Sequence, residues 1–457
     1  MKLVVNKFGG SCLGSKGEHV KVIHKIIEEQ IHTSVPVVVV SAFKDITDKL
    51  IDTGLKISSL ERDPNSKEVN VVDEIFSPYY KFAKKEGLNL KKEFDKILIE
   101  VKKSLKFVRR SGFKGQIKDD IISAGERFSA LLISSYLNKK NIKTFGVNFD
   151  ENFPIISDDR FGDANVDFQK TREAMSEVVE KIEDKNTIVI PGFIGRTELG
   201  LLTTLGRGGS DITAIVFSIL FGDDYDIETL LWKDVPITSA DPKIVGKENV
   251  KFIKNLTWEE SEFLSNLGGK IIAPKAMKLA SSYYLDIKVP CLFDPDKVTD
   301  ISGEEYVGEP VKCVTGTGDC VSIKIGNEFN RRKIRDFIDF YGYERLFTSD
   351  GLGIPGSYEV YNIILMKKDF EEMNNKLGSI IEEVNDIALV GLVGNMVEVP
   401  GILGKVGISL EEAGINILGA HPGIYSPSFI LYISPKDYKK AIKVLHDLFI
   451  ASKNNSE

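Results

Sequence analysis

The sequence predicts an α/β protein: an open, mostly parallel sheet flanked by helices, followed by two small α/β modules. Three observations carry this. Short runs rich in β-branched residues, Leu3 to Val5 and Val35 to Val40, alternate with apolar residues at helical spacing, such as Val20, Ile23 and Ile27. The Val35 to Val40 run has no polar face, so both of its faces must be covered, as in a parallel sheet between helices. Beyond about residue 300 the texture changes, and two segments then share one strand-helix-strand plan.

In chain order, a strand at Leu3 to Val5 ends at Gly9-Gly10, a helix follows, and Val35 to Val40 completes a βαβ unit. Residues 60 to 110, rich in Lys, Glu and Leu, place Phe94, Ile97, Leu98, Val101 and Leu105 on one helical face and predict a helical excursion from the sheet. Alternation resumes with a helix from Glu126 to Leu137, strands at Lys143 to Val147 and Thr187 to Ile190, a helix from Ile212 to Phe221 and a strand from Ile227 to Trp232. The Gly303 to Asp319 stretch marks a boundary. Strand Val321 to Ile325, helix Arg331 to Tyr341 and strand Val360 to Met366 are then answered by Ala388 to Val393, Ile402 to Ala413 and Phe429 to Ile433.

The chain of 457 residues is long enough for about three domains at roughly 150 residues each. With 42% hydrophobic and 28% charged residues its composition is ordinary for globular proteins. A formal net charge of −7 argues against a chain-wide grip on nucleic acid. Cys12, Cys291, Cys313 and Cys320 form no CxxC pair, which disfavours a zinc site or a disulfide framework. No apolar run approaches the ~18 residues of a membrane span, and Asn6 and Lys7 come too early for a signal peptide. The expectation is a cytoplasmic protein without nucleic-acid or membrane partners.

In open α/β sheets ligands bind beyond the carboxyl ends of the strands, which directs attention to the loops after Val5, Val40, Ile190 and Trp232. Lys7-Phe8-Gly9-Gly10-Ser11 brings a cation and bare backbone N–H groups to a strand end, an arrangement that suits phosphate, although a glycine pair is also what a plain turn needs. It is not a P-loop, because Ser15 stands where that motif requires Lys. Gly206-Arg207-Gly208-Gly209-Ser210-Asp211 opens an apolar helix, combining N–H donors with a fixed cation and a carboxylate, which a mere turn does not require. Gly268-Gly269-Lys270 and Ser123-Ala124-Gly125-Glu126 add a second cation and a helix-start acid, each of which could equally be an ordinary surface Lys or first-turn Glu. These sites contain no His and no nucleophile-base pair. Phosphoryl transfer to a carboxylate needs no general base, because the acceptor, with a pKa of about 4, is already ionised. It needs alignment and charge neutralisation.

These residues, together with Pro191-Gly192-Phe193-Ile194 and above all Thr203-Thr204-Leu205-Gly206-Arg207-Gly208-Gly209-Ser210-Asp211, resemble the aspartate kinase family in order and spacing. The resemblance implies a three-layer amino-acid kinase fold over residues 1–300. Two ferredoxin-like ACT regulatory modules would follow at 319–385 and 386–457, the second borrowing an edge strand from about 312–317. It implies MgATP-dependent phosphorylation of the L-aspartate side-chain carboxylate, with feedback by an amino acid and a homodimer or higher homo-oligomer formed through the ACT modules. Transferred position by position, Lys7, Asp211 and Lys270 would be catalytic. Ser41, Thr47, Glu126, Phe193, Arg207 and Ser210 would bind aspartate. ATP would be held by Lys7, Gly9, Gly10, Ser11, Gly208, Gly209, Lys233, Asp234, Thr238, Lys243 and Lys270, with Mg²⁺ carried mainly by the phosphates near Asp211. Ser349, Asp350, Asn416 and Ile417 would meet the effector, lysine or threonine.

The sequence departs from the family where Lys233-Asp234-Val235-Pro236 runs directly into Ile237-Thr238-Ser239-Ala240-Asp241-Pro242-Lys243, one residue shorter than the family's nucleotide loop. Ala273 stands where the family has His. Two rivals remain: another kinase of this fold acting on glutamate or N-acetylglutamate, and a non-catalytic amino-acid sensor.

Overall fold

The computed structural model describes all residues except 151–152, 268–270, 305–308, 326–328, 331, 335–344, 351–360, 397–398, 423–427 and 452–457. Its packing divides the chain into two units, Met1–Pro236 with Lys275–Ser302, and Ile237–Pro274 with Gly303–Glu457.

The first unit opens with β1 (Lys2–Phe8), a single helical turn α1 (Gly10–Leu13), α2 (Val20–Gln30) and β2 (Val35–Val40). Where the sequence suggests one helix after the glycines, Gly14 at φ 81° stops the first turn and the chain restarts at Val20. Next come α3 (Ile46–Ser58), α4 (Ser66–Lys85), α5 (Lys91–Ser111), α6 (Gly115–Ile122) and α7 (Ala124–Lys139). The long α4 and α5 are the expected excursion. Asn65 and Glu68 form a reciprocal cap at the start of α4, and Phe94, Ile97, Leu98, Val101 and Leu105 of α5 are all buried. The unit continues through β3 (Thr144–Gly146), α8 (Phe168–Ala174), α9 (Ser176–Glu183), β4 (Thr187–Pro191), the hairpin β5 (Ile194–Arg196) and β6 (Leu202–Thr204), α10 (Gly209–Phe221) and β7 (Asp226–Trp232).

The chain then contributes α11 (Pro242–Val245), β8 (Asn255–Thr257) and α12 (Trp258–Asn266) to the second unit, and returns with α13 (Pro274–Ser282), β9 (Ile287–Cys291) and β10 (Asp294–Ser302). Strands of the first unit lie in the order β3-β4-β2-β1-β7-β9-β10. All neighbours are parallel except the antiparallel pair β9 and β10. Every residue of β2 is buried, as a strand covered on both faces requires.

The second unit is built on a six-stranded antiparallel sheet, β11 (Cys313–Ile325), β12 (Arg345–Asp350), β13 (Tyr361–Met366), β14 (Glu383–Val393), β15 (Ile417–Pro422) and β16 (Ser428–Ile433), ordered β12-β13-β11-β14-β16-β15. The long β11 pairs with β14 along most of its length and with β13 over its second half. Helices Ile402–Glu412 and Tyr438–His446 share a core with Val390, Leu392 and Leu431. That core also takes in Ala240 and Val245, which explains why residues 237–274 group with the C-terminal unit. The expected helix Arg331 to Tyr341 lies largely outside the described residues.

Candidate active site

The register of the sheet brings the expected loops together. Lys7 and Phe8 pair with Val39 and Val40 on one side and with Leu231 and Trp232 on the other, so β1, β2 and β7 end level. Ser41 N–H donates to Phe8 O (3.1 Å) and Gly192 N–H to Val40 O (2.9 Å), which continues the row to the end of β4. Lys7, Ser41, Phe193, Lys233 and Asp234 therefore stand along one rim, at the carboxyl ends of the parallel strands.

The turn before α10 completes it. Gly206 and Gly208 adopt φ 79° and 74°, a left-handed conformation that only glycine takes without cost, and Arg207 between them lies exposed. Gly209 is pressed against Phe193, since a Cβ there would lie 2.7 Å from the ring. Phe193 itself holds φ 73°, which costs a non-glycine residue about 1–2 kcal/mol. Its N–H donates to Thr213 Oγ1 (3.1 Å) and its carbonyl accepts from Leu205 N–H (2.9 Å), so both neighbouring elements hold the strained residue in place.

Asp211, in the first turn of α10, forms an ion pair with Lys7 at 2.6 Å, and both side chains are over 90% buried. Lys7 Nζ also hangs over Gly9, within 3.3 Å of where a Cβ would stand. Burial pushes the Lys233 ammonium below its ordinary pKa, an effect opposed by Asp211 and reinforced by Lys7. Ser11 Oγ donates to Asp234 (2.8 Å), tying the glycine turn to the end of β7. Ser41 Oγ donates to Ser210 Oγ at 2.9 Å.

Glu126, in the first turn of α7, is 4% exposed. Burial pushes its carboxyl up to about 8, against the lowering effect of hydrogen bonds from the Ala42 and Glu126 N–H groups. Among the described residues its Oε2 has no hydrogen-bond partner. A buried carboxyl oxygen of this kind can accept from a donor outside the chain.

Thr47 is half-buried in the first turn of α3. Thr238 and Lys243 belong to the second unit, where Thr238 Oγ1 donates to Ala240 O (2.9 Å) and the Lys243 N–H to Asp241 Oδ1 (2.8 Å). Lys270 lies outside the described residues. Among the effector candidates, Ser349 and Asp350 are on the edge strand β12. Asn416 and Ile417 are at the start of the opposite edge strand β15, where they line a shallow depression of about 420 Å³ with Gly407, Glu411, Gly414 and Ile415. Within one chain the two pairs do not meet.

The sequence reading missed Asp119. This fully buried carboxylate accepts from Gly162 N–H (2.8 Å), Thr204 N–H (2.8 Å) and Thr204 Oγ1 (3.0 Å), and so anchors β6 just before the Arg207 turn. Burial raises it to about 6 despite those bonds. Among the described residues no three His, Cys, Asp or Glu side chains cluster to hold a metal ion. A Mg²⁺ held chiefly by nucleotide phosphates, with Asp211 nearby, suits this donor set.

The amino acid kinase family model matches residues 2–289. The chain belongs to the amino acid kinase family. This amino acid kinase is 26% identical to an aspartate kinase of Stutzerimonas stutzeri over 288 residues, covering 60% of the chain but only 58% of that relative. It is also 26% identical to an aspartokinase of Bacillus sp. strain MGA3, over 98% of the chain and 97% of the relative. In fold it is similar to Escherichia coli aspartokinase III in complex with aspartate and ADP, with TM-score 0.79, 20% identity and coverage of 98% and 99% of the two chains. The same enzyme with lysine and aspartate gives TM-score 0.72. The amino acid kinase fold, followed by a further α/β unit, is thus the one the sequence suggested.

Proposed function

We propose that this amino acid kinase is an aspartate kinase, transferring the γ-phosphoryl group of MgATP to the side-chain carboxylate of L-aspartate to give 4-phospho-L-aspartate and ADP. This is the entry step to lysine, threonine and methionine synthesis. The observation that carries the reading is the buried carboxyl oxygen of Glu126, open among the described residues and held against Ala42 on the loop whose Ser41 bonds Ser210, the neighbour of Asp211. A zwitterionic amino acid requires one fixed anion and one fixed cation, which Glu126 and Arg207 supply.

Glu126 accepts from the substrate α-ammonium, and Arg207 clamps the α-carboxylate. Ser41, Thr47, Ser210 and the strained Phe193 wall the side chain. The β-carboxylate oxygen attacks the γ-phosphorus, the bond to the β-phosphate bridging oxygen breaks, and the electron pair leaves with ADP. No proton moves in this step. Lys7, with Lys270 by family analogy, offsets charge on the phosphoryl oxygens, Asp211 orders Lys7, and backbone N–H groups of Gly9, Gly10 and Gly208 receive phosphate oxygens beside Ser11, Lys233 and Asp234, the Gly209 N–H being spent on Gly206 O (3.0 Å). Mg²⁺, when bound to the nucleotide, adds further charge neutralisation.

ADP release with aspartate, glutamate and N-acetylglutamate tests the substrate. Aspartate alone is expected to support turnover, and an N-acylated substrate has no ammonium for Glu126. Turnover with glutamate or N-acetylglutamate instead would reject the reading, and inertness toward all three would favour the sensor.

The solved aspartokinase III with lysine supports an amino-acid effector. Lysine or threonine is proposed to bind near Ser349, Asp350, Asn416 and Ile417. Because the two pairs sit on opposite sheet edges, a site containing both needs a second chain. Insensitivity to both amino acids at millimolar concentration would contradict the proposal.

A further inference from the structure

We propose that Tyr79, far from the strand ends in sequence, is a positioning residue that sets the separation between Ser41 and Glu126 and thereby the fit of aspartate. The inference rests on the aspartate reading above.

The helical excursion otherwise has no part in the chemistry. Tyr79 projects from α4 into a fully buried aromatic cluster with Phe76, Phe94 and Phe128, where Phe76 and Phe94 each stack on Phe128 at 4.4 and 4.6 Å. Its ring stacks on Phe43 at a centroid distance of 4.0 Å. Its hydroxyl lies between two segments of the candidate site. Phe43 N–H donates to Tyr79 Oη (2.8 Å), Tyr79 Oη donates to Gly125 O (3.0 Å), and Ser129 Oγ is 3.1 Å away. A phenol has one proton and two lone pairs, so with that proton on Gly125 O the Ser129 hydroxyl donates, and the group is fully satisfied.

The two segments are the loop after β2 and the first turn of α7. The loop carries Ser41, which reaches Ser210, and Ala42, whose N–H donates to the Glu126 carboxyl. The α7 turn carries Gly125 and Glu126. They meet so closely that a Cβ on Gly125 would lie 2.5 Å from the Ala42 Cβ. Each segment bonds to the same phenol oxygen within one residue or two of a proposed aspartate contact. A shift of either changes where Glu126 sits relative to Ser41, whereas Lys7 lies within β1, paired to a strand on each side, and is left in place. A residue that acts in this way affects the amino acid and not the nucleotide.

The test is steady-state kinetics of Tyr79→Phe, which keeps the stacked ring and removes the hydroxyl, with thermal unfolding as a check on folding. The expected result is a KM for aspartate raised about tenfold, with kcat within twofold of wild type and KM for ATP unchanged. A KM for aspartate within twofold of wild type, or equal rises in both KM values, would overturn the assignment. If Tyr79→Phe does not fold, Ser129→Ala, which removes one donor to the phenol, carries the same test with a rise of about threefold expected. The wild type judges the underlying reading separately. No aspartate-dependent ADP release there overturns both, whereas an active wild type with an unshifted variant overturns the Tyr79 assignment alone.

Discussion

In the proposed reaction the buried Lys7–Asp211 pair acts through its rigidity. An ammonium locked at 2.6 Å from a carboxylate and closed off from water keeps its position without reorganisation when charge shifts onto the γ-phosphoryl oxygens. Removing such a stabiliser typically costs about 3 kcal/mol, roughly a hundredfold in rate. Lys7→Ala is therefore expected to lower kcat by about that factor with little change in KM for aspartate. A variant with near wild-type kcat and a raised KM would remove Lys7 from the phosphoryl site. Glu126 predicts a pH effect. Its folded pKa, about 8, lies above the ordinary 4.5, so its contribution to stability is fully present below about 4.5 and is lost as the pH rises through about 8. An incoming ammonium reverses that preference and ionises it. Aspartate binding at pH 7 should then release close to one proton, seen as a dependence of calorimetric enthalpy on buffer ionisation enthalpy, and Glu126→Gln should abolish the release. No buffer dependence in the wild type would mean that Glu126 is ionised before the substrate arrives.

At the scale of elements, the Arg207 turn is held from behind by Asp119. Asp119→Ala leaves the buried N–H and hydroxyl of Thr204 and the partly buried Gly162 N–H without their acceptor, a loss of roughly 3 kcal/mol. Asp119→Asn should cost much less, because its amide oxygen keeps both N–H groups and the Thr204 hydroxyl can turn to accept from the amide nitrogen. Urea unfolding with an unchanged m-value measures both, and equal losses would contradict this account of the network. Much of this architecture was legible in the sequence. Buried strands such as β2 announce themselves through unbroken β-branched runs, and α5 through its apolar face. The glycine loops were legible because the backbone geometry they adopt, φ 79° and 74° around Arg207, leaves a compositional trace. Asp119 and Tyr79 left none. Their partners lie 43 and 85 residues away in the first case and 36 and 46 in the second, and a buried Asp or Tyr looks in sequence like any other. The same reason hid the membership of residues 237–274 in the second unit, where Ala240 and Val245 pack against residues from the far end of the chain.

At the scale of the whole molecule, the second unit ends its sheet on both sides in an edge strand, and exposed edges invite pairing. Leu418 of β15 and Leu403 and Ile408 of the neighbouring helix are each more than half exposed. A homodimer through this unit is expected, and light scattering that shows a monomer at micromolar concentration would count against it. In the proposed chemistry a side-chain carboxylate receives the phosphoryl group. An acyl phosphate reacts with hydroxylamine, whereas phosphate from simple ATP hydrolysis does not, so trapping the product of a reaction containing ATP, Mg²⁺ and L-aspartate tests it directly. Aspartyl β-hydroxamate, identified by mass, is expected to accumulate in step with ADP. ADP released without hydroxamate would contradict it.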